Sequence, residues 1–136
     1  MQILDLSDLQ FVKLLLQSTD VCQDVIMTAY HIDSFLSIIV ENISEGVCVC
    51  HNIDEFPYLR FTVWNKRMFE LTGYVIDEIN YHGWYQAVYS DPDVQEKAIK
   101  RRKEMRFGRN LRNEEWEITK ADGQTRWLSI AISFDL

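Results

Sequence analysis

Asn65-Lys66-Arg67-Met68-Phe69-Glu70-Leu71-Thr72-Gly73-Tyr74 is the stretch that orients everything around it. Asparagine is a strong N-cap, because its side-chain oxygen accepts an N–H of the first helical turn. A short helix therefore starts after Asn65 and runs through Leu71. Gly73 closes it, since glycine enters the left-handed conformation of a helix end without steric cost. On this reading Phe69 points into the core, and Thr72-Gly73 stops the helix sharply enough for Tyr74 to turn back over a sheet.

Strand patterns flank this helix. Val47-Cys48-Val49-Cys50 is apolar, and its valines are β-branched. Residues 58–64 alternate, with Leu59, Phe61 and Val63 on one side and Arg60 and Thr62 on the other. The turn-forming segment Asn52 to Pro57 joins them as a hairpin. Downstream, Tyr74 to Tyr89 reads as short helical turns. Asp91-Pro92 then announces a longer helix to about Phe107, with Asp91 as cap and Pro92 at the first helical position. Residues 111–120 and 125–134 read as two strands around Asp122-Gly123, a strong hairpin signal. Leu128, Ile130, Ile132 and Phe134 mark one face of the last strand. The order predicts an α+β domain, an antiparallel sheet with short helices on one face. It has four strands.

Residues 1–33 differ, and are expected to form an N-terminal helical extension to a domain spanning 34–136. Ser7 and Gln10 fit a capping box, with Leu6 and Phe11 spaced for a hydrophobic staple. Val12, Leu14, Leu15 and Leu16 are too continuous for a helix facing water. A second helix is expected from Asp20 to Tyr30, and a third from Asp33 or Ser34 through Ile43, stopped by Gly46.

The 136 residues suffice for one core, and nearly half are apolar. A net charge of −7 argues against nucleic acid or anionic membrane as a general partner. No apolar run approaches the roughly 18–20 residues of a membrane span, and no signal-peptide pattern starts the chain, so a cytoplasmic location is expected. Three cysteines make no disulfide framework, and Cys22, Cys48 and Cys50 read as reduced, small buried hydrophobes. His31, His51 and His82 suggest no metal set.

In this order, the Asn65–Tyr74 stretch resembles the Asn-x-x-Phe-x-x-x-Thr-Gly-Tyr segment of PAS domains, the sensory-box modules of bacterial signalling proteins. Asp77-Glu78-Ile79 stands where that family has its acidic turn. Residues 116–123 and Trp127-Leu128-Ser129-Ile130 look like its last hairpin. The similarity covers about 34–136. Departures are Val75 where Ser or Thr usually caps, Ser90-Asp91-Pro92-Asp93 for His-Pro-Asp-Asp, and four strands where the family has a central fifth. The resemblance implies a sensor or regulatory domain that passes ligand or partner binding to an effector, usually a histidine kinase or diguanylate cyclase. The alternative is a dimerisation or scaffold module with no ligand, and a small stand-alone enzyme ranks third.

Flavin and haem are not expected as cofactors. Asn80 to Trp84 lacks the thiol of flavin photosensors, and residues 91–107 lack the haem histidine. No phosphate loop, catalytic pair or zinc spacing marks an enzyme. Asn65, Phe69, Tyr74, Trp84, Tyr85 and Trp116 are candidates for a ligand pocket, or for an aromatic core with no pocket. Eight of the 14 basic residues fall between Lys97 and Arg112. With Val94, Ala98 and Met105 marking the buried side, Arg101, Lys103 and Arg106 are candidates for docking an acidic partner on an otherwise solvated face. Glu114, Glu115 and Glu117 read as a solvated acidic cluster. A homodimer through the first forty-odd residues is expected, because the Ser7–Gln17 helix has more apolar side chains than one contact face hides.

Overall fold

Two antiparallel hairpins form the arms of the sheet in a computed structural model of the chain, which describes residues 2–5, 23–105 and 111–134. The first pairs β2 (Val47–Asn52) with β3 (Leu59–Trp64), and the second pairs β4 (Leu111–Thr119) with β5 (Thr125–Phe134). Between them lies β1 (Gln2–Asp5), parallel to both β2 and β5, which completes a five-stranded sheet in the order β3-β2-β1-β5-β4. The central place that four sequence-predicted strands leave open is thus taken by the start of the chain. Ile3 stands level with Cys48 on one side and Ile132 on the other.

The helices follow the hairpin boundaries. Helix α1 spans Gln23–Asn42, α2 Lys66–Thr72, α3 Ile76–His82, α4 Trp84–Val88 and α5 Pro92–Met105. The chain is an α+β domain. Its core is made where Cys48, Leu59, Phe61, Ile118, Leu128 and Ile130 of the sheet meet Met68, Leu71, Ile79, Val88 and Ala98 of the helices. Glu115, Glu117, Trp127 and Ser129 alternate with the core residues of β4 and β5 and are exposed.

Several expectations are corrected. The helices predicted over 20–30 and 33–43 are one continuous α1, because neither glycine nor proline interrupts 23–42 and a polar Asp33-Ser34 pair is tolerated on a helix surface. The boundary placed between residues 33 and 34 falls inside it. The helix predicted over Ser7–Gln17, and Cys22, lie outside the described residues. Thr62 is an extra residue in β3, since Val49 pairs with Val63 and Cys50 with Phe61. The bulge puts Trp64, and not Val63, alongside the core. Phe69 does not point inward: it is 48 % exposed, while Met68 is fully buried. With Asn65 as the cap, Met68, Leu71 and Thr72 share the inner face of α2, and Phe69 lies a further 100° round the helix.

Local capping otherwise matches the residue chemistry. Gly73 adopts φ 78° and donates its N–H to Phe69 at 2.7 Å. A Cβ there would come within 3.0 Å of Ala121 Cβ, so the close approach of the last hairpin also requires glycine. Asp91 accepts the N–H of Asp93 ahead of α5. Val75 has no acceptor to offer α3, and Glu78 supplies the other half of a capping box by accepting the Val75 N–H.

Asn65 joins four segments. Its Nδ2 donates to the carbonyls of Val40 at 2.7 Å and Glu45 at 2.9 Å, and its Oδ1 accepts from the N–H groups of Val47 at 3.0 Å and Met68 at 3.1 Å. Asn65→Ala leaves four main-chain groups to find other partners at a buried site. Urea unfolding is expected to show a loss of about 3 kcal/mol, well above an ordinary N-cap deletion of about 1 kcal/mol.

Candidate functional site

The candidate pocket residues separate into three environments. Asn65 is buried, and both its amide hydrogens and its oxygen are occupied by the main chain. Phe69 sits on the outer side of α2. Tyr74 is half-buried, with its carbonyl accepting Trp64 Nε1–H at 2.9 Å and its ring 6.3 Å from the exposed His82.

Trp84, Tyr85 and Trp116 do converge. Trp84 meets Phe61, Trp64 and Tyr89 at ring separations of 6.0, 6.2 and 6.3 Å. Tyr89 stacks on Tyr85 at 6.3 Å and meets Trp116 edge-on at 5.9 Å. These are the separations of aromatic pairs in contact, so the rings fill one another's space. The cavity left beside Trp84, Tyr89, Met105, Trp116 and Ile130 is about 40 Å³. That holds a water molecule, whereas small-ligand pockets begin near 300 Å³. Phe61, Trp64 and Tyr89 were missing from the candidates read in sequence. Alternation with Leu59 does place Phe61 on the apolar side of its strand, whereas a strand bulge and a position just past a helix end decide the inward placement of Trp64 and Tyr89, and neither leaves a periodic signal.

Burial sets the proton affinities here. It pushes the Tyr89 phenol up to about 12 and raises Tyr85 further still, against the nearby Arg102 cation, which pulls Tyr85 down. Burial also raises the Cys48 thiol well above its ordinary value, keeping it protonated and a poor nucleophile.

The basic helix α5 does not present one solvated face. Arg101 is 22 % exposed at its side chain and grips Glu114 of β4 through Nε at 2.9 Å and Nη2 at 2.6 Å. Its charge is therefore matched within the chain, which corrects its assignment to a partner-docking face; the Glu114 carboxylate holds the guanidinium proton more tightly than usual. Arg102 donates to the Tyr58 carbonyl at 3.2 Å and lies 5.9 Å over the Tyr85 ring. Lys103 is exposed, and Arg106 lies outside the described residues. Ala98 and Met105 are buried as expected. Glu115 and Glu117 are exposed, while Glu114 belongs to the Arg101 pair.

Sequence reading also missed Asn80. Its side-chain amide pairs with both main-chain groups of Phe61, accepting the N–H at 2.7 Å and donating to the carbonyl at 2.9 Å, and so ties α3 to β3. Helix α1 is the opposite case, anchored near its C-terminal end through Asn65 and through Glu41, which accepts the Lys66 N–H. Ile32, Leu36 and Ile39 are 54, 52 and 43 % exposed along it, and Ile43, just past its end, is 43 % exposed. Among the described residues no helix is long and apolar enough to cross a membrane, and no group of three metal-ligating side chains assembles.

The geometry defines an α+β domain with an aromatic core, a clasped basic helix and an apolar helix standing off one end. No protein-family model, no curated protein and no solved structure matches the chain.

Two expectations follow from the charges. In the unfolded chain a tyrosine ionises near pH 10, while folded Tyr89 keeps its proton to about 12. The raised affinity stabilises the fold below pH 10, and that stability falls as pH rises through this window. The unfolding free energy from urea titrations is expected to drop between pH 10 and pH 12, by up to about 1.4 kcal/mol per pH unit for each such tyrosine. Tyr89→Phe removes one tyrosine's share of the slope.

Arg101→Gln and Glu114→Gln are each expected to cost about 1 kcal/mol, with a double-mutant cycle showing the two coupled. Lys103→Gln changes stability by no more than about 0.5 kcal/mol.

Proposed function

We propose that this chain is a PAS-like sensory or regulatory domain of a bacterial signal-transduction protein, which self-associates through its N-terminal helices and passes a binding event to an effector. The observation that carries this reading is α1, a helix fastened near its C-terminal end through Asn65 and Glu41, with Ile32, Phe35, Leu36, Ile38 and Ile39 exposed. Val25, Ala29, Ile32, Leu36, Ile39 and Ile43 recur at spacings alternating between four and three. That is the 3.5-residue period of a coiled-coil seam, which a second copy of the same helix complements. Each of Ile32, Leu36, Ile39 and Ile43 is about half exposed, so covering it contributes about 1 kcal/mol per side chain and protomer toward association costs of several kcal/mol.

The sheet supports the PAS-like part of the reading. The two hairpins flank a central strand, the short helices lie between them in sequence, and β1 occupies the slot that a fifth strand holds in that family. Because Asn65 bonds α1, β2 and α2 together, a displacement of the short helices has a direct mechanical route to α1. The resemblance suggests a histidine kinase or diguanylate cyclase as effector, and a cytoplasmic setting. The alternative, a ligand-free dimerisation or scaffold module, draws on the 40 Å³ of space left among the aromatic rings.

Light scattering at tens of micromolar is expected to give a dimer, and Leu36→Glu with Ile39→Glu a folded monomer. A monomeric parent chain overturns self-association. A native mass spectrum of freshly purified protein separates the two readings, since retained small-molecule mass favours the sensor and bare mass the scaffold.

A further inference from the structure

Outside the aromatic core, a groove of about 370 Å³ opens between the β2–β3 connection, α4 and α5. It is within the range of small-ligand pockets, as the 40 Å³ space beside Trp84 and Trp116 is not. No residue of β4 or β5 lines it, and it shares only Tyr85 and Arg102 with the small space beside Trp84 and Trp116. Its walls are Ile53, Tyr58, Tyr85 and Ile99, with Arg102 and Lys103 on the α5 side and Asp54 opposite. Two cations against one carboxylate invert the sign of a chain whose net charge is −7.

Arg102 is held in place before any ligand arrives. Its guanidinium lies over the Tyr85 ring at 5.9 Å, and one of its five N–H groups donates to Tyr58. A guanidinium already positioned by the nearby Tyr85 ring and a hydrogen bond loses less further freedom when it meets a carboxylate. Tyr58 itself adopts φ 68°, a left-handed conformation that costs a bulky residue roughly 1–2 kcal/mol. In that conformation its carbonyl accepts from both Ile53 N–H and Arg102. Backbone strain of this kind concentrates where a fold holds a ligand clamp. The exposed Lys103 adds a second cation.

We propose that this groove binds a small organic anion, a carboxylate on a planar apolar body, with Arg102 and Lys103 on the carboxylate and Ile53, Tyr58 and Ile99 around the body. The assignment stands on the geometry of the groove, and it adds to the sensory reading a class of signal. The size and the mixed lining fit a ligand of one ring, which leaves inorganic phosphate or sulfate without contacts for the apolar walls.

The test uses benzoate as probe and benzamide, its neutral isostere, as control, titrated into the full chain and followed by amide NMR shifts. Benzoate is expected to give saturable shifts confined to residues 53–58, 85–86 and 99–103, with a dissociation constant of about a millimolar or tighter. Benzamide gives none. Lys103→Gln, an exposed change, weakens binding roughly fivefold, and Arg102→Lys, which keeps the charge and loses the fork, weakens it about tenfold or more. Equal shifts from benzamide, shifts that do not saturate by about 20 mM, or shifts centred on other arginines overturn the proposal. Light scattering on the same samples separates the two ideas. A benzoate-saturated groove on a monomeric chain retains the site and removes the dimeric signalling module, whereas a dimer without saturable shifts does the reverse.

Discussion

The side chain of Asn65 is the constraint on which most of this architecture depends. It is buried, and a buried primary amide needs two acceptors and two donors to offset the loss of water. The end of α1, the loop at Glu45, the start of β2 and the first turn of α2 each supply one. The same residue donates its main-chain N–H to Val47 at 3.2 Å. The helix that stands off the domain is therefore attached at the point where the first hairpin turns into the helical layer. Gly46 makes the approach possible, because a Cβ there would lie 2.7 Å from both Leu71 and Met68 side chains.

From that junction outward, packing decides what the aromatic residues do. Phe61, Trp64, Trp84, Tyr85, Tyr89 and Trp116 form a continuous run of ring contacts from the first hairpin to the second. The interaction is cohesive, and it leaves space of the order of a water molecule. Concave space of ligand size lies outside, including the groove where the connection after β2 meets α5. The two arrangements meet at Tyr85, whose ring stacks on Tyr89 and lies beneath the Arg102 guanidinium.

Charge is divided in the same way. The consecutive pair Arg101-Arg102 on α5 splits across two sides of the helix, as a 100° step per residue requires. Arg101 faces β4 and is neutralised by Glu114, while Arg102 faces the first hairpin and is held by a carbonyl and a ring. A cluster that looks uniform along the chain thus contains a structural clasp, a positioned cation and the exposed Lys103.

The sequence by itself determined the elements whose cause is local. Asn65 and Asp91 as caps, Gly73 as a helix end, Asp122-Gly123 as the last turn and the alternation of Leu128 and Ile130 are all present as read, because each depends on neighbours within a few residues. The aromatic candidates were half legible: Trp84, Tyr85 and Trp116 meet, but Phe69 faces outward, since in so short a helix a phase shift of one residue exchanges inside for outside. Tertiary structure alone decided the rest. That Gln2–Asp5 fills the centre of the sheet is a matter of long-range pairing, with partners at Val47 and Ala131 that no local pattern announces. Whether a charge is solvated or clasped is likewise fixed by what stands opposite in space, as Glu114 does for Arg101 across 13 residues of chain.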